Sequence, residues 1–217
     1  MKFVSLGAAL AAAIALGACG PADANSQPQS GGGAMIMDVG FNALLRDPAT
    51  PFLGAEDADV TIIGYMDYNC PYCKMMIPEL EGLMASDSKV RVLYKEWPIF
   101  GEVSENASRI ALAAGYQGKY HEVHKAFMGA PGRIDSDATA RRLATEAGAD
   151  MAQLEADLTA HRSEIDAVIR RNTVEASALA LRGTPAFVVN GVLIPGGLKK
   201  EQFEALIGRI RSGQPLY

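Results

Sequence analysis

The sequence predicts an α/β domain built from a βαβ half and a ββα half, with helices inserted between them. Three observations carry this. Residues 59–97 read as strand, helix and strand; residues 103–181 repeat apolar positions at helical spacing; and strand signals return on either side of Asn190-Gly191 before a last helical stretch. With 217 residues, 49% of them hydrophobic, the chain is long enough to bury one sizeable core. Its net charge of −5 comes without a basic cluster, which argues against a nucleic-acid partner.

Residues 1–24 read as an export signal. Lys2 precedes an apolar run over 3–16 that is too short and too rich in alanine for a permanent membrane span. Two processing outcomes follow from the residues. Leu16-Gly17-Ala18-Cys19 matches a bacterial lipobox and would leave Cys19 as a lipidated first residue, giving a membrane anchor; Ala22-Asp23-Ala24 matches an ordinary cleavage site and would discard Cys19. The lipobox is preferred because it abuts the apolar core of the signal. Residues 25–33, NSQPQSGGG, form a flexible tether. Residues 34–46 carry Met35, Ile36, Val39, Leu44 and Leu45 at loosely helical spacing, which predicts a short helix docked on the main domain. Pro48 and Pro51 then break the chain, and the main domain is expected over 47–217, with its helical insertion over about 103–181.

Residues 59–67 are apolar and β-branched without strict alternation, as in a strand buried on both faces. The next helix, over 71–86, opens on Pro71, whose fixed φ and missing N–H suit a first helical position; Pro78 is expected to kink it. Cys70 and Cys73 flank Pro71-Tyr72 and so sit one turn apart at a helix N-terminus. Free N–H groups and the positive end of the helix favour an anion there, which makes Cys70 the expected exposed nucleophile. A pKa lowered from about 8.5 to about 6 raises its thiolate fraction at pH 7 from roughly 3% to roughly 90%. Cys73 lies deeper and can attack the Cys70 sulfur of a mixed disulfide to release the partner. Closing so short a loop gains little chain entropy, so the pair reads as a redox switch and not a staple. A structural zinc site would need a second cysteine pair, which the chain lacks.

Residues 89–97, KVRVLYKEW, form the next strand. A strand–helix–strand unit of this length is right-handed and parallel, and ligand chemistry gathers at the carboxyl ends of its strands, where Cys70 lies. Helical stretches follow over 104–116, 119–128, 137–147 and 151–181, the last with one or more breaks. Residues 186–189 and 192–194 flank Asn190-Gly191, a type I′ hairpin signal, and a closing helix runs over 199–211.

The runs DYNCPYCK at 67–74 and GTPAFVVNG at 183–191, in this order of elements, resemble the thioredoxin fold with a helical insertion found in the DsbA-like family of bacterial envelope proteins. Segments 45–54 and 94–101 are more similar to the Com1 and suppressor-of-copper-sensitivity branch than to DsbA itself, and CPYC departs from DsbA's CPHC. The resemblance implies a thiol–disulfide oxidoreductase on the periplasmic side of the envelope. Its partners would be reduced or misoxidised exported proteins and a membrane redox protein, and it would need no cofactor. It implies a cis Thr184–Pro185 bond packed against the Cys70–Cys73 loop, with the Thr184 backbone free to pair with an extended substrate. Donation of disulfides, and isomerisation or reduction by a form kept reduced, both stay open. Tyr72 offers a hydroxyl but no positive charge where DsbA has histidine, which predicts a moderately oxidising pair at roughly −150 to −220 mV.

Lys95 and Glu96 end the strand beside the active-site strand. They are expected as a solvated pair, with help in moving the Cys73 proton as the alternative. Asp67 is a further candidate for that proton, or a turn residue. His121 and His124 lack an evident third metal ligand. Met75 and Met76 after the CxxC invite a Cu(I) site on Cys70 and Cys73, but they read more simply as core or groove surface, and a cis-proline facing the thiols would block a metal.

Overall fold

The structure, a computed structural model, describes residues 35–36, 41–45 and 49–215. The expected signal with Cys19, the tether and residues 46–48 lie outside the described residues. In chain order the first elements are β1 (Met35–Ile36), α1 (Phe41–Leu44), β2 (Phe52–Gly54), β3 (Val60–Met66), α2 (Pro71–Ser86) and β4 (Val90–Glu96). Five helices follow: α3 (Glu102–Ala114), α4 (Tyr120–Gly129), α5 (Asp137–Glu146), α6 (Met151–Ala160) and α7 (Arg162–Ala178). The chain closes with β5 (Ala186–Val189), β6 (Val192–Pro195) and α8 (Lys200–Ser212).

The strands form one sheet in the order β1-β6-β5-β3-β4-β2, with β3 and β4 parallel and the other pairs antiparallel. This puts β3 near the centre, and all seven of its residues are buried. Val60, Ile62 and Met66 join one core cluster, with α2, α8 and the inserted helices; Ile63 and Tyr65 join a second, with Leu44, Trp97, Ala176 and Leu179. Burial on both faces is the reason the strand shows no polar alternation in sequence. The β5–β6 turn has positive φ at both Asn190 (43°) and Gly191 (89°), as a type I′ turn requires. The Asn190 side chain also caps the start of β3, accepting from the Thr61 N–H at 2.8 Å and donating to the Asp59 carbonyl at 3.1 Å.

Two local expectations are corrected. Residues 34–46 are not one helix: among the described residues of this stretch, Met35–Ile36 pairs with β6 as an edge strand and Phe41–Leu44 is helical. The β6 edge has backbone groups that need partners, and pairing there outweighs a weak helical spacing. Phe52–Gly54, read only as the chain after a break, is likewise a strand on the β4 edge. α2 is assigned as helix throughout Pro71–Ser86, with Pro78 inside it.

Candidate active site

Cys70 is the N-cap of α2 with Pro71 as the first helical residue, and its N–H donates to the Asp67 carbonyl at 3.1 Å. Both cysteines are free thiols. Cys70 is only 1% exposed, which corrects the exposed nucleophile expected from the sequence: its sulfur lies just under the surface, and Cys73 is deeper still. Tyr72 instead projects outward at 67% exposure. The Thr184–Pro185 peptide bond is cis, and the Cys70 thiol donates to the Thr184 carbonyl at 3.2 Å.

The two sulfurs differ sharply in acidity. Cys70 is pulled down from 9.0 to about 6, first by a hydrogen bond from the Cys73 thiol; burial opposes this, and the Thr184 side chain and the N–H groups of Cys73 and Tyr72 add to it. Cys73 is pushed well above the ordinary thiol range, chiefly by burial and then by its neighbour Cys70. At neutral pH the pair is therefore a thiolate beside a thiol.

The parallel register sets Glu96 opposite Met66 at the carboxyl end of β3. Lys95 and Glu96 are 0% and 3% exposed, so the solvated pair expected from sequence is also corrected. They serve opposite faces of the sheet. Lys95 reaches Glu175 of α7 at 3.0 Å, where the Tyr65 hydroxyl also donates at 3.2 Å. Glu96 accepts from the hydroxyls of Tyr68 and Tyr120, both at 2.6 Å, and from Ser108 at 2.9 Å. The Tyr68 hydroxyl also lies 3.0 Å from His124 Nδ1, while Nε2 of that buried ring is unpartnered. Burial, reinforced by Glu96, pushes both phenols upward in pKa and keeps them protonated donors. Asp67 is buried and accepts four hydrogen bonds, from the turn, from the loop after β4 and from Ser104 in the first turn of α3.

Of the remaining candidates, Met76 is core and Met75 is 56% exposed. His124 is packed and His121 half-buried, and among the described residues no three His, Cys, Asp or Glu side chains converge as a metal site. Sequence reasoning missed Tyr68, Tyr120 and His124 around Glu96, and Asn69, which grips Ile134 through its N–H at 2.7 Å and its carbonyl at 3.1 Å. The visible signal was the polar pair Asp67 and Asn69, two residues apart just ahead of Cys70.

The sheet, the inserted helices, the dithiol at the head of α2 and the Thr184–Pro185 turn beside it define a thioredoxin-like domain. The chain belongs to the DSBA-like thioredoxin domain family, whose model matches residues 61–208. It is similar to a thioredoxin-like oxidoreductase from Silicibacter pomeroyi DSS-3, at 41% identity and a TM-score of 0.75 over 79% of this chain and 98% of that one. It is also similar to the catalytic domain of Proteus mirabilis ScsC, at 27% identity and a TM-score of 0.68 over 77% and 92% of the two chains. Among curated proteins, Na(+)/H(+) antiporter NhaA 1 of Salinispora arenicola is 26% identical over 165 residues, 75% of this chain. The chain spans about a quarter of the length of the antiporters it matches in this way. No helix among the described residues is long and apolar enough to cross a membrane.

Proposed function

We propose that this protein is a thiol–disulfide oxidoreductase acting on exported proteins, with Cys70 as nucleophile and Cys73 as resolving thiol. The observation that carries the reading is the split between two sulfurs one turn apart, Cys70 at about 6 and Cys73 far above it. In disulfide donation a client thiolate attacks the Cys70 sulfur of the Cys70–Cys73 disulfide. That bond breaks, and Cys73 leaves and takes up a proton. A second client thiolate then attacks the client sulfur of the mixed disulfide. The client disulfide forms, two electrons have passed to the pair, and Cys70 leaves as a stabilised thiolate. In the reverse direction the Cys70 thiolate attacks a client disulfide and Cys73 resolves the adduct. Which direction runs in the cell is set by a membrane redox partner. The Thr184 backbone lies beside Cys70 and would pair with the client chain.

Cys73 needs a proton acceptor when it resolves a mixed disulfide, since burial holds its proton tightly. Glu96 is favoured for this over Lys95 and Asp67. It shares the Tyr68 side of the sheet, and Tyr68 packs in one cluster with Cys70 and Cys73. Lys95 faces the other side, and the Asp67 oxygens already accept four donors. Residues 1–24 support export to the periplasmic side, with lipid attachment at Cys19 where the lipobox is used.

Trapping tests the assignment. Cys73→Ser incubated with unfolded envelope proteins that carry disulfides should accumulate mixed disulfides on Cys70, as its thiolate attacks the client bond and releases one client thiolate, and Cys70→Ser should accumulate none. Equal trapping by both variants would overturn the division of roles.

A further inference from the structure

Asp67 does nothing in the thiol exchange above, yet it is a fully buried carboxylate with four hydrogen-bond donors and no cation among them. Oδ1 accepts from the Asn69 N–H at 2.7 Å and the Ser104 hydroxyl at 2.8 Å. Oδ2 accepts from the consecutive N–H groups of Ile99 at 2.6 Å and Phe100 at 3.1 Å. Its own carbonyl accepts from Cys70 at 3.1 Å. One residue thus joins two backbones, the turn carrying Cys70 and the loop from β4 to α3.

That loop presents Ile99 and Phe100 to solvent at 42% and 40% exposure. With Tyr72 and Met75 of α2 they are four of the eight large hydrophobic side chains exposed among the described residues, and Asp67 ties the loop that carries Ile99 and Phe100 to the turn that opens α2. The loop is exposed in its side chains but fastened in its backbone. Gly101 follows at φ +88°, a value that L side chains rarely adopt, and the Arg133 guanidinium lies over the Phe100 ring at 5.6 Å. Lys74 donates to the Ala130 carbonyl at 2.8 Å, tying α2 to the loop that carries Arg133. Fixed backbone beneath exposed apolar side chains is what a preorganised binding surface needs, because little ordering entropy remains to be lost on contact.

We propose that Asp67 is a positioning residue that holds the Ile99–Phe100 lip in register with Cys70, so that large apolar side chains beside a client cysteine are read there. The proposal rests on the oxidoreductase reading and names its preferred substrate, an extended cysteine segment with aliphatic or aromatic neighbours. Only an acceptor-only group satisfies four donors. An asparagine amide keeps one oxygen and turns an NH2 donor against backbone N–H groups, so Asp67→Asn must release one side of the clamp.

The test uses the full-length protein, kept oxidised by excess glutathione disulfide, and two cysteine peptides of equal length, one with leucine and phenylalanine flanking its cysteine, the other with serine and glycine. The wild type should favour the apolar peptide in kcat/KM by roughly tenfold, about 1.4 kcal/mol. Asp67→Asn should bring that ratio close to 1 through a higher KM for the apolar peptide. The double variant Ile99→Ser/Phe100→Ser, which alters only exposed side chains, should do the same and keeps the test alive if Asp67→Asn fails to fold. A fall in kcat for both peptides with the ratio preserved would show that Asp67 acts on the thiols and overturn the proposal, as would a wild type without preference. Failure of the wild type to oxidise either peptide would instead remove the oxidoreductase reading, and the proposal with it.

Discussion

Taking the protein from pH 5 to pH 8 should bend the pH dependence of its reduction potential near pH 6. While both cysteines are protonated in the reduced form, reduction takes up two electrons and two protons, and the potential falls by about 59 mV per pH unit. Above the Cys70 pKa of about 6, Cys70 stays a thiolate and only Cys73 takes a proton. The slope should then halve to about 30 mV per unit. The sign follows from linkage. A folded pKa of about 6, below the ordinary 9.0, adds stability to the reduced protein that is complete above pH 9 and lost as the pH falls through 6. The oxidised protein has no thiolate and gains none of it. At pH 7 the difference is about 1.4 kcal/mol, or about 30 mV toward a stronger oxidant. This is a ceiling, because the sulfur lies just beneath the surface, where water screens it. Equilibration in glutathione buffers at each pH, followed by acid quench and maleimide labelling, reads the oxidised fraction directly. An unbroken slope of about 59 mV per unit up to pH 8 would refute the ionised Cys70 and the mechanism built on it.

Two further substitutions test the faces of the sheet separately. Glu96→Gln keeps an acceptor for the Tyr68 and Tyr120 hydroxyls but removes the base, so rapid-quench assays should show mixed disulfides resolving roughly 100-fold more slowly. Resolution at the wild-type rate would remove Glu96 from the proton path. Glu175→Ala strands the fully buried Lys95 ammonium and should lower stability to urea by about 3–5 kcal/mol, whereas Lys95→Met/Glu175→Ala should recover most of that loss. Equal losses in the single and double variants would show that the stranded charge is not the cause.

Much of the domain was legible in the chain because its signals are local. Pro71 after Cys70 marks a helix start, Asn190-Gly191 marks a tight hairpin, and the β-branched run before Asp67 marks a buried strand; each depends on residues a few positions apart. The harder parts have partners far away in sequence. Met35–Ile36 became a strand because β6 has an open edge, across more than 150 residues of chain, and Lys95 became a buried ion because α7 delivers Glu175 to it. Even at the cysteines the local argument was incomplete. Helix-terminal N–H groups do stabilise the Cys70 thiolate, but the Cys73 thiol leads and the Thr184 side chain comes from 114 residues away.

The sequence by itself determined the reactive pair, its place at the head of a helix and the class of fold that presents it, since proline, glycine and apolar periodicity act through the backbone on which they sit. Tertiary structure alone decided that Cys70 is itself buried, which strand-end residue faces the Cys73 side of the sheet, and that Asp67 binds two backbones together. Those outcomes depend on burial and on the approach of distant segments, and hydrogen bonds and dielectric environment exist only once the chain has closed around them.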